Sequence, residues 1–95
     1  MRLTPYQQEA IRESVRAFVP DANVLIYGSR ADDTKRGGDI DILVLSSSEV
    51  DRQIQYKIIG SLYKKIGEQK IDLLVENPEE LSLFGQLVMP TAVPL

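Results

Sequence analysis

Cysteine, histidine and tryptophan are all missing from this chain of 95 residues. Without cysteine the chain has no disulfide bond and no thiolate metal site. Without histidine it also lacks the usual zinc ligand and the commonest general base. Any catalysis must therefore rely on carboxylates, hydroxyls, lysine or arginine.

Long apolar runs are missing as well. No stretch approaches the ~18 apolar residues of a membrane-spanning helix, and Met1 to Pro5 lack the apolar run of a signal peptide. These absences predict a cytoplasmic protein that does not enter a membrane.

Positive charge is scarce, since 11 lysines and arginines stand against 14 acidic residues and the net charge is −3. A general nucleic-acid binder shows a basic face, so direct nucleic-acid binding is not expected, although a tRNA-type acceptor stays open. An NTP brings its own magnesium, so a nucleotide substrate remains compatible with an acidic chain.

Hydrophobic periodicity divides the chain into helices and strands. The first predicted helix begins at Thr4, the second spans about 50–67, and the third runs from Asn77 to about Val88. The predicted strands cover 23–27, 39–45 and 70–75, and residues 89–95 form an irregular tail. The order α-β-turn-β-α-β-α predicts a single α/β domain over residues 1–95, a two-layer α+β arrangement with helices flanking a small mixed three-stranded sheet.

Three aspartates stand where two of the predicted strands begin: Asp39, Asp41 and Asp72. Because residues i and i+2 of a strand point to one face, Asp39 and Asp41 should project side by side. Carboxylates that close repel one another unless a cation lies between them, and magnesium suits oxygen-only ligands. The pattern therefore predicts a site for two magnesium ions about 3.5–4 Å apart, with Asp72 as the third ligand.

An ordinary solvated strand start is the alternative for Asp39 and Asp41, but acidic residues are depleted in strands. Asp72 taken alone is also compatible with a simple surface acid. Metal ligation is the interpretation that accounts for all three residues together.

A glycine and a serine follow the first predicted strand directly. Gly28 lets the backbone approach a phosphate without a Cβ in the way, and Ser29 adds a hydroxyl donor. Arg30 either reaches a phosphate or is a surface residue, and both readings stay open. Lys35 and Arg36 have positions from which they can steer an anion, although a solvated loop is the favoured interpretation.

These residues together carry a family resemblance. Gly28-Ser29, a gap of nine residues, Asp39-Ile40-Asp41 and an apolar run resemble the signature of the nucleotidyltransferase (polymerase-beta-like) superfamily, with Asp72 where its third carboxylate is expected. The resemblance extends from the first helix to about Val75. Gly38 departs from the pattern, since a serine or another polar residue is common before the first aspartate.

The resemblance implies a magnesium-dependent nucleotidyltransferase with the fold of that superfamily, moving NMP, AMP foremost, from ATP or another NTP to a hydroxyl acceptor. It implies that Asp39 and Asp41 bind both magnesium ions. Asp72 would ligate the catalytic metal and accept the proton of the attacking hydroxyl. Gly28 and Ser29 would hold the β- and γ-phosphates.

The small size resembles the minimal nucleotidyltransferases, many of which act as antitoxins of a HEPN-type toxin, in some cases by attaching AMP to it. A protein partner of this type, or a homo-oligomer, would supply the missing wall for the acceptor. The apolar segment 83–89 and the tail behind it are the candidate docking surface, expected to be covered by another chain or folded back on the sheet. The alternative function is a non-catalytic antitoxin or binding subunit that neutralises a partner by contact, and a degenerate structural subunit is a third.

Overall fold

The computed structural model describes residues 1–34 and 38–95, so the loop cations Lys35 and Arg36 lie outside the described residues. Within those ranges the chain forms three α-helices, four β-strands and two 3₁₀ turns. The helices are α1 (Pro5–Phe18), α2 (Arg52–Ile66) and α3 (Leu83–Val88). The strands are β1 (Asn23–Tyr27), β2 (Ile40–Leu45), β3 (Ile71–Glu76) and β4 (Val93–Pro94), and the 3₁₀ turns are Gly28–Ala31 and Met89–Thr91.

The first two helices begin at side-chain caps. Thr4 Oγ1 accepts from the Gln7 amide at 3.1 Å and Gln7 Oε1 accepts from the Thr4 amide at 3.0 Å, which is a capping box. Asp51 caps α2 by accepting from the Ile54 amide at 2.9 Å. The predicted start of the first helix is therefore confirmed, and the second lies within the predicted range of 50–67.

The sheet is mixed, with strand order β3-β2-β1-β4. β1 runs antiparallel to both β2 and β4, whereas β2 and β3 are parallel. The predicted mixed sheet is confirmed, but it has four strands rather than three. The extra strand, β4, falls in the tail that the sequence left irregular, and its two residues pair with Leu25 and Ile26 of β1.

Apolar side chains cover both faces of this sheet. On one face the helices α1 and α2 pack against alternate residues of β2, namely Ile40, Ile42 and Val44, all fully buried. On the other face Leu25, Leu43 and Leu45 contact the segment that follows β3. The strand period of two places Asp41 and Asp72 on this second face, beyond the end of the apolar cover.

The third helix begins later than predicted. Asn77 does not cap a helix, because its Oδ1 accepts from the Glu79 amide at 3.0 Å and its carbonyl accepts from the Glu80 amide at 3.0 Å, which closes a turn. Ser82 is the actual N-cap and accepts from the Gly85 amide at 3.0 Å. The chain thus makes a turn of its own before α3 starts at Leu83.

A buried carboxylate holds this segment to the sheet. Glu76, only 8% exposed, accepts from the Ser82 amide at 2.7 Å and from the Ser82 hydroxyl at 2.8 Å. Gly85 lies directly against the same carboxylate, and a Cβ at that position would overlap Glu76 Oε1. The start of α3 therefore depends on a contact with the last residue of β3.

The tail after α3 is folded back on the sheet, which is one of the two arrangements expected for it. β4 covers the edge of β1, and the Leu95 amide donates to the Val24 carbonyl at 3.0 Å. No helix in the described part of the chain is long and apolar enough to cross a membrane.

The two helical glycines Gly60 and Gly85 allow a matched test of this packing. We expect Gly85→Ala to lower the free energy of unfolding by about 1–3 kcal/mol, because the new methyl group displaces the Glu76 carboxylate from its donors. Gly60→Ala should instead raise it by about 1 kcal/mol, since its Cβ meets nothing within 4 Å. Urea unfolding of both variants checks this, and a stabilised Gly85→Ala would contradict the packing described.

Candidate active site

Strand register brings two of the three aspartates side by side. Asp41 of β2 pairs with Asp72 of β3 in the parallel ladder, and with Tyr27 of β1 on its other side. The two carboxyl groups are close enough for a side-chain hydrogen bond. Asp39 lies two residues before Asp41, where the strand period directs it to the same face. Register therefore brings Asp41 and Asp72 together at one edge of the sheet, and Asp39 lies near enough for its charge to act on Asp41.

The crowding of negative charge perturbs the central carboxyl group. The pKa of Asp41 is raised from 3.8 to about 6, chiefly by burial and then by the hydrogen bond and charge of Asp72 and the charge of Asp39. Lys70 acts in the opposite direction. Burial, followed by the charges of Asp41 and Asp72, also raises the pKa of Tyr27 to about 12. Asp41 thus holds a proton at a pH where an isolated aspartate has lost it.

Lys70 forms an ion pair with one aspartate of this cluster. Its Nζ lies 3.4 Å from Asp39 Oδ2, and its carbonyl accepts from the Ile40 amide at 3.0 Å, which fixes the backbone beside the start of β2. Both side chains are largely exposed, so the pair contributes little to stability. Lys70 therefore leaves the Asp41–Asp72 repulsion largely uncompensated.

Gly28 makes room for the central carboxylate. It has φ +71°, and a Cβ there would overlap Asp41 Oδ2. An L-residue with a side chain is thus excluded both by conformation and by contact. The sequence interpretation assigned this glycine to a phosphate. The close approach of Asp41 is an additional reason that only the β1–β2 register reveals.

A cavity of about 590 Å³ opens beside the turn that carries Gly28 and Ser29. Its lining residues come from the 3₁₀ turn and the loop after it, with one residue from the C-terminal segment: Gly28, Ser29, Ala31, Asp32, Asp33, Thr34 and Thr91. The volume is within the range of small-ligand sites. Since Gly28 touches both the cavity and Asp41, the cavity and the carboxylates adjoin at this glycine.

Arg30 is engaged by the backbone. Its two terminal nitrogens donate to the carbonyls of Arg2, at 2.9 Å, and Gly38, at 3.0 Å. Arg2 in turn donates to the Ser29 carbonyl at 3.0 Å and, through its amide, to the Arg30 carbonyl at 2.8 Å. This network fixes the turn and its neighbouring loop. A phosphate contact by Arg30 stays a prediction, and it would require giving up one of these bonds.

Carboxylate oxygens are suitable ligands for a hard divalent cation, but these side chains are not arranged as a complete ligand set. Across residues 1–34 and 38–95, no three acidic side chains are arranged closely enough to hold a metal ion as they stand. Asp41 and Asp72 nevertheless share a proton-mediated contact in a half-buried place. A cation relieves the same repulsion as that proton does, and oxygen ligands suit magnesium. These two residues would hold it, with Asp39 able to join by rotation.

Comparison with known proteins gives one match. A family model described as a nucleotidyltransferase domain matches residues 9–90, which is most of the chain. A search among curated proteins finds no match. The matched range contains the three aspartates and the Gly28–Ser29 turn, and it leaves out Arg2 and Thr91.

The raised pKa of Asp41 makes stability depend on pH in a defined direction. In metal-free buffer the folded state keeps the proton up to about pH 6 and the unfolded chain loses it near 3.8, so stability falls as pH rises through this window. We expect Asp41→Asn to unfold at higher urea than wild type at pH 7.5, by about 1 kcal/mol because part of the group faces solvent. The gain should vanish at pH 3.5.

The exposed Glu80→Gln is the matched control, with no gain expected at either pH. An Asp41→Asn variant that is equally stabilised at both pH values would contradict the electrostatic origin of the effect.

Proposed function

The chain belongs to the nucleotidyltransferase domain family, and from this premise we propose that it transfers AMP from ATP, or NMP from another NTP, to a hydroxyl acceptor with the help of two magnesium ions. The observation that carries the proposal is the Asp41–Asp72 pair beside the Gly28–Ser29 turn. It joins a place for a cation to a cavity of the right size for a nucleotide.

The different surroundings of the aspartates suit them to different roles in this reaction. Asp41 is half-buried between Tyr27 and Asp72 and, together with Asp39, would hold both magnesium ions, while Asp72 would be a further ligand of the catalytic one. Asp72 is exposed, so an acceptor hydroxyl can reach it from solvent. Asp72 would accept the proton of that hydroxyl as its oxygen attacks the α-phosphate. Magnesium would supply charge neutralisation at the phosphates.

The turn after β1 would hold the leaving end of the substrate. Gly28 and Ser29 line the cavity, and the Ser29 hydroxyl and the backbone amides of the turn would donate to the β- and γ-phosphates. The bond from the α-phosphorus to the bridging oxygen breaks as the bond to the acceptor oxygen forms, and pyrophosphate leaves. Positioning and charge neutralisation would supply much of the rate.

Removal of either central carboxylate tests this assignment. We expect Asp41→Asn and Asp72→Asn each to lower transfer of α-phosphate-labelled AMP by about 100-fold or more, because one loses a metal ligand and the other the proton acceptor. Glu80→Gln, an exposed carboxylate away from the site, should transfer at the wild-type rate. Both aspartate variants should remain folded, as judged by their unfolding curves.

Two results would count against the proposal. Undiminished labelling by Asp41→Asn would remove Asp41 from the reaction. A wild-type protein that labels none of its candidate acceptors, a HEPN-type protein and tRNA included, would favour an antitoxin that acts by contact.

A protein partner is the second part of the proposal, and the exposure of α3 supports it. Leu83 is 80% exposed, Leu87 is 74% exposed and Phe84 is 51% exposed. The Phe84 ring contacts Tyr27 edge-on, with ring centroids 6.1 Å apart, and Tyr27 pairs with Asp41. The apolar helix is thus continuous with the carboxylates, and an acceptor protein seated on it would lie next to them. A HEPN-type protein is the partner we propose.

The double variant Leu83→Lys/Leu87→Lys tests this surface. We expect it to bind and label a HEPN-type partner at least about tenfold less well, because two exposed apolar contacts are lost. Its melting-temperature shift with magnesium and ATP should be unchanged. Tyr56→Lys, at an equally exposed position on α2, is the control. Equal partner binding by the double variant would exclude α3 as the docking surface.

The contact-only antitoxin is the second candidate function, and the same exposed helix favours it. The two functions separate cleanly, since contact alone would survive Asp41→Asn and fail in the α3 variant.

A further inference from the structure

The cavity beside the Gly28–Ser29 turn has one wall that the turn and its loop do not provide. Thr91 lines it from the C-terminal segment, more than fifty residues away in sequence from the other lining residues. It lies outside the range that matches the family. Its presence in the wall is therefore a property of how this chain ends its fold.

Strand pairing explains how Thr91 reaches that place. In the antiparallel β1–β4 ladder, Ile26 pairs with Val93 and Leu25 with Pro94. Gly28 follows β1 directly and Thr91 precedes β4 by two residues, so this pairing brings the two turns near each other. The same cavity is lined by both of these residues. The position of Thr91 is thus tied to the strand that carries the turn.

Neighbouring contacts hold Thr91 firmly in this position. Ala92 packs against the apolar face of the sheet, and its amide donates to the carbonyls of Val88 at 3.1 Å and Met89 at 3.2 Å. The residue is consequently anchored on both sides, by a 3₁₀ turn before it and by β4 after it. Its side chain alone remains exposed, at the wall of the cavity.

The hydroxyl of Thr91 is available to a ligand at little cost. Thr91 Oγ1 donates to the Val88 carbonyl at 3.3 Å, which is long for a hydroxyl hydrogen bond. Rotation about χ1 can exchange that weak bond for a stronger one to a charged oxygen. Ser29 supplies a second hydroxyl to the same cavity from the turn. Two hydroxyl-bearing residues from separate parts of the chain therefore line one cavity.

Two acidic residues of the cavity wall, Asp32 and Asp33, bear on which part of a nucleotide each part of the wall suits. Asp32 accepts from the Thr34 amide and hydroxyl, at 2.9 and 2.6 Å, and Asp33 pairs with the N-terminal amine. These carboxylates suit sugar hydroxyls better than phosphate. The Gly28–Ser29 turn is the part of the wall suited to phosphate, and Thr91 joins it through the packing of β4 on β1.

We propose that Thr91 is a further nucleotide-binding residue, whose hydroxyl donates to the phosphate chain of the bound NTP alongside Ser29. The inference rests on the proposed function, because it assumes that an NTP occupies this cavity. It makes the C-terminal segment a part of the substrate site. Docking of β4 on β1 is then required for tight nucleotide binding.

Isosteric removal of the hydroxyl is the direct test. Thr91→Val should weaken the binding of magnesium–ATP about tenfold, and that of magnesium–pyrophosphate by a similar factor, as expected for one lost hydrogen bond to a charged group. Calorimetric titration or the ligand-induced melting shift measures both. Thr91→Ser should restore both affinities. In transfer assays KM should rise while kcat changes little.

Ser48→Ala is the matched control, since it deletes a hydroxyl bonded to Asp21 near the opposite end of β2. It should bind both probes like the wild type. The melting temperature of ligand-free Thr91→Val should also equal that of the wild type, because the substitution keeps the shape of the side chain.

The outcomes separate the two levels of the argument. If the wild type binds both probes and Thr91→Val binds them with the same affinity, the role of Thr91 is overturned and the proposed function stays intact. Weakened ATP binding with unchanged pyrophosphate binding would overturn the assignment to phosphate. A wild type that binds neither probe would overturn the proposed function and this inference together.

Discussion

The repulsion between the Asp41 and Asp72 carboxylates is the constraint on which the site depends. Parallel pairing of β2 and β3 fixes these two residues next to each other, and Tyr27 pairs with Asp41 on its other side. Below a pH of about 6 a proton on Asp41 relieves the repulsion, and the same geometry suits a divalent cation. At higher pH the uncompensated charge lowers stability at this sheet edge.

The rest of the fold can be understood as support for that edge. α1 and α2 cover one face of the sheet, where β2 is fully buried and β3 partly so, whereas the C-terminal segment covers only the apolar part of the other. The aspartates occupy the part that stays uncovered. The contact of Glu76 with Ser82 and Gly85 fixes the position of α3 on the sheet. It thereby also positions the Phe84 ring against Tyr27.

Local signals in the sequence were sufficient for the elements that depend on neighbours in the chain. The capping box at Thr4, the apolar stripe of α2 and the alternation around Asp41 each predict structure within a few residues, and the meeting of Asp41 with Asp72 followed from strand order. The late start of α3 could not be predicted, because it depends on Glu76 contacting Ser82 in three dimensions. β4 also escaped prediction, since two residues with a proline carry no strand pattern.

The brevity of β4 has a consequence for how the molecule behaves in a crowded solution. An open edge of β1 would offer a row of unpaired amides and carbonyls to any extended peptide. β4 occupies that row with two residues, and Pro94 has no amide with which to continue a ladder outward. The strand therefore acts as a terminator of sheet growth on this side, and it protects the edge nearest the cavity from being recruited into aggregates.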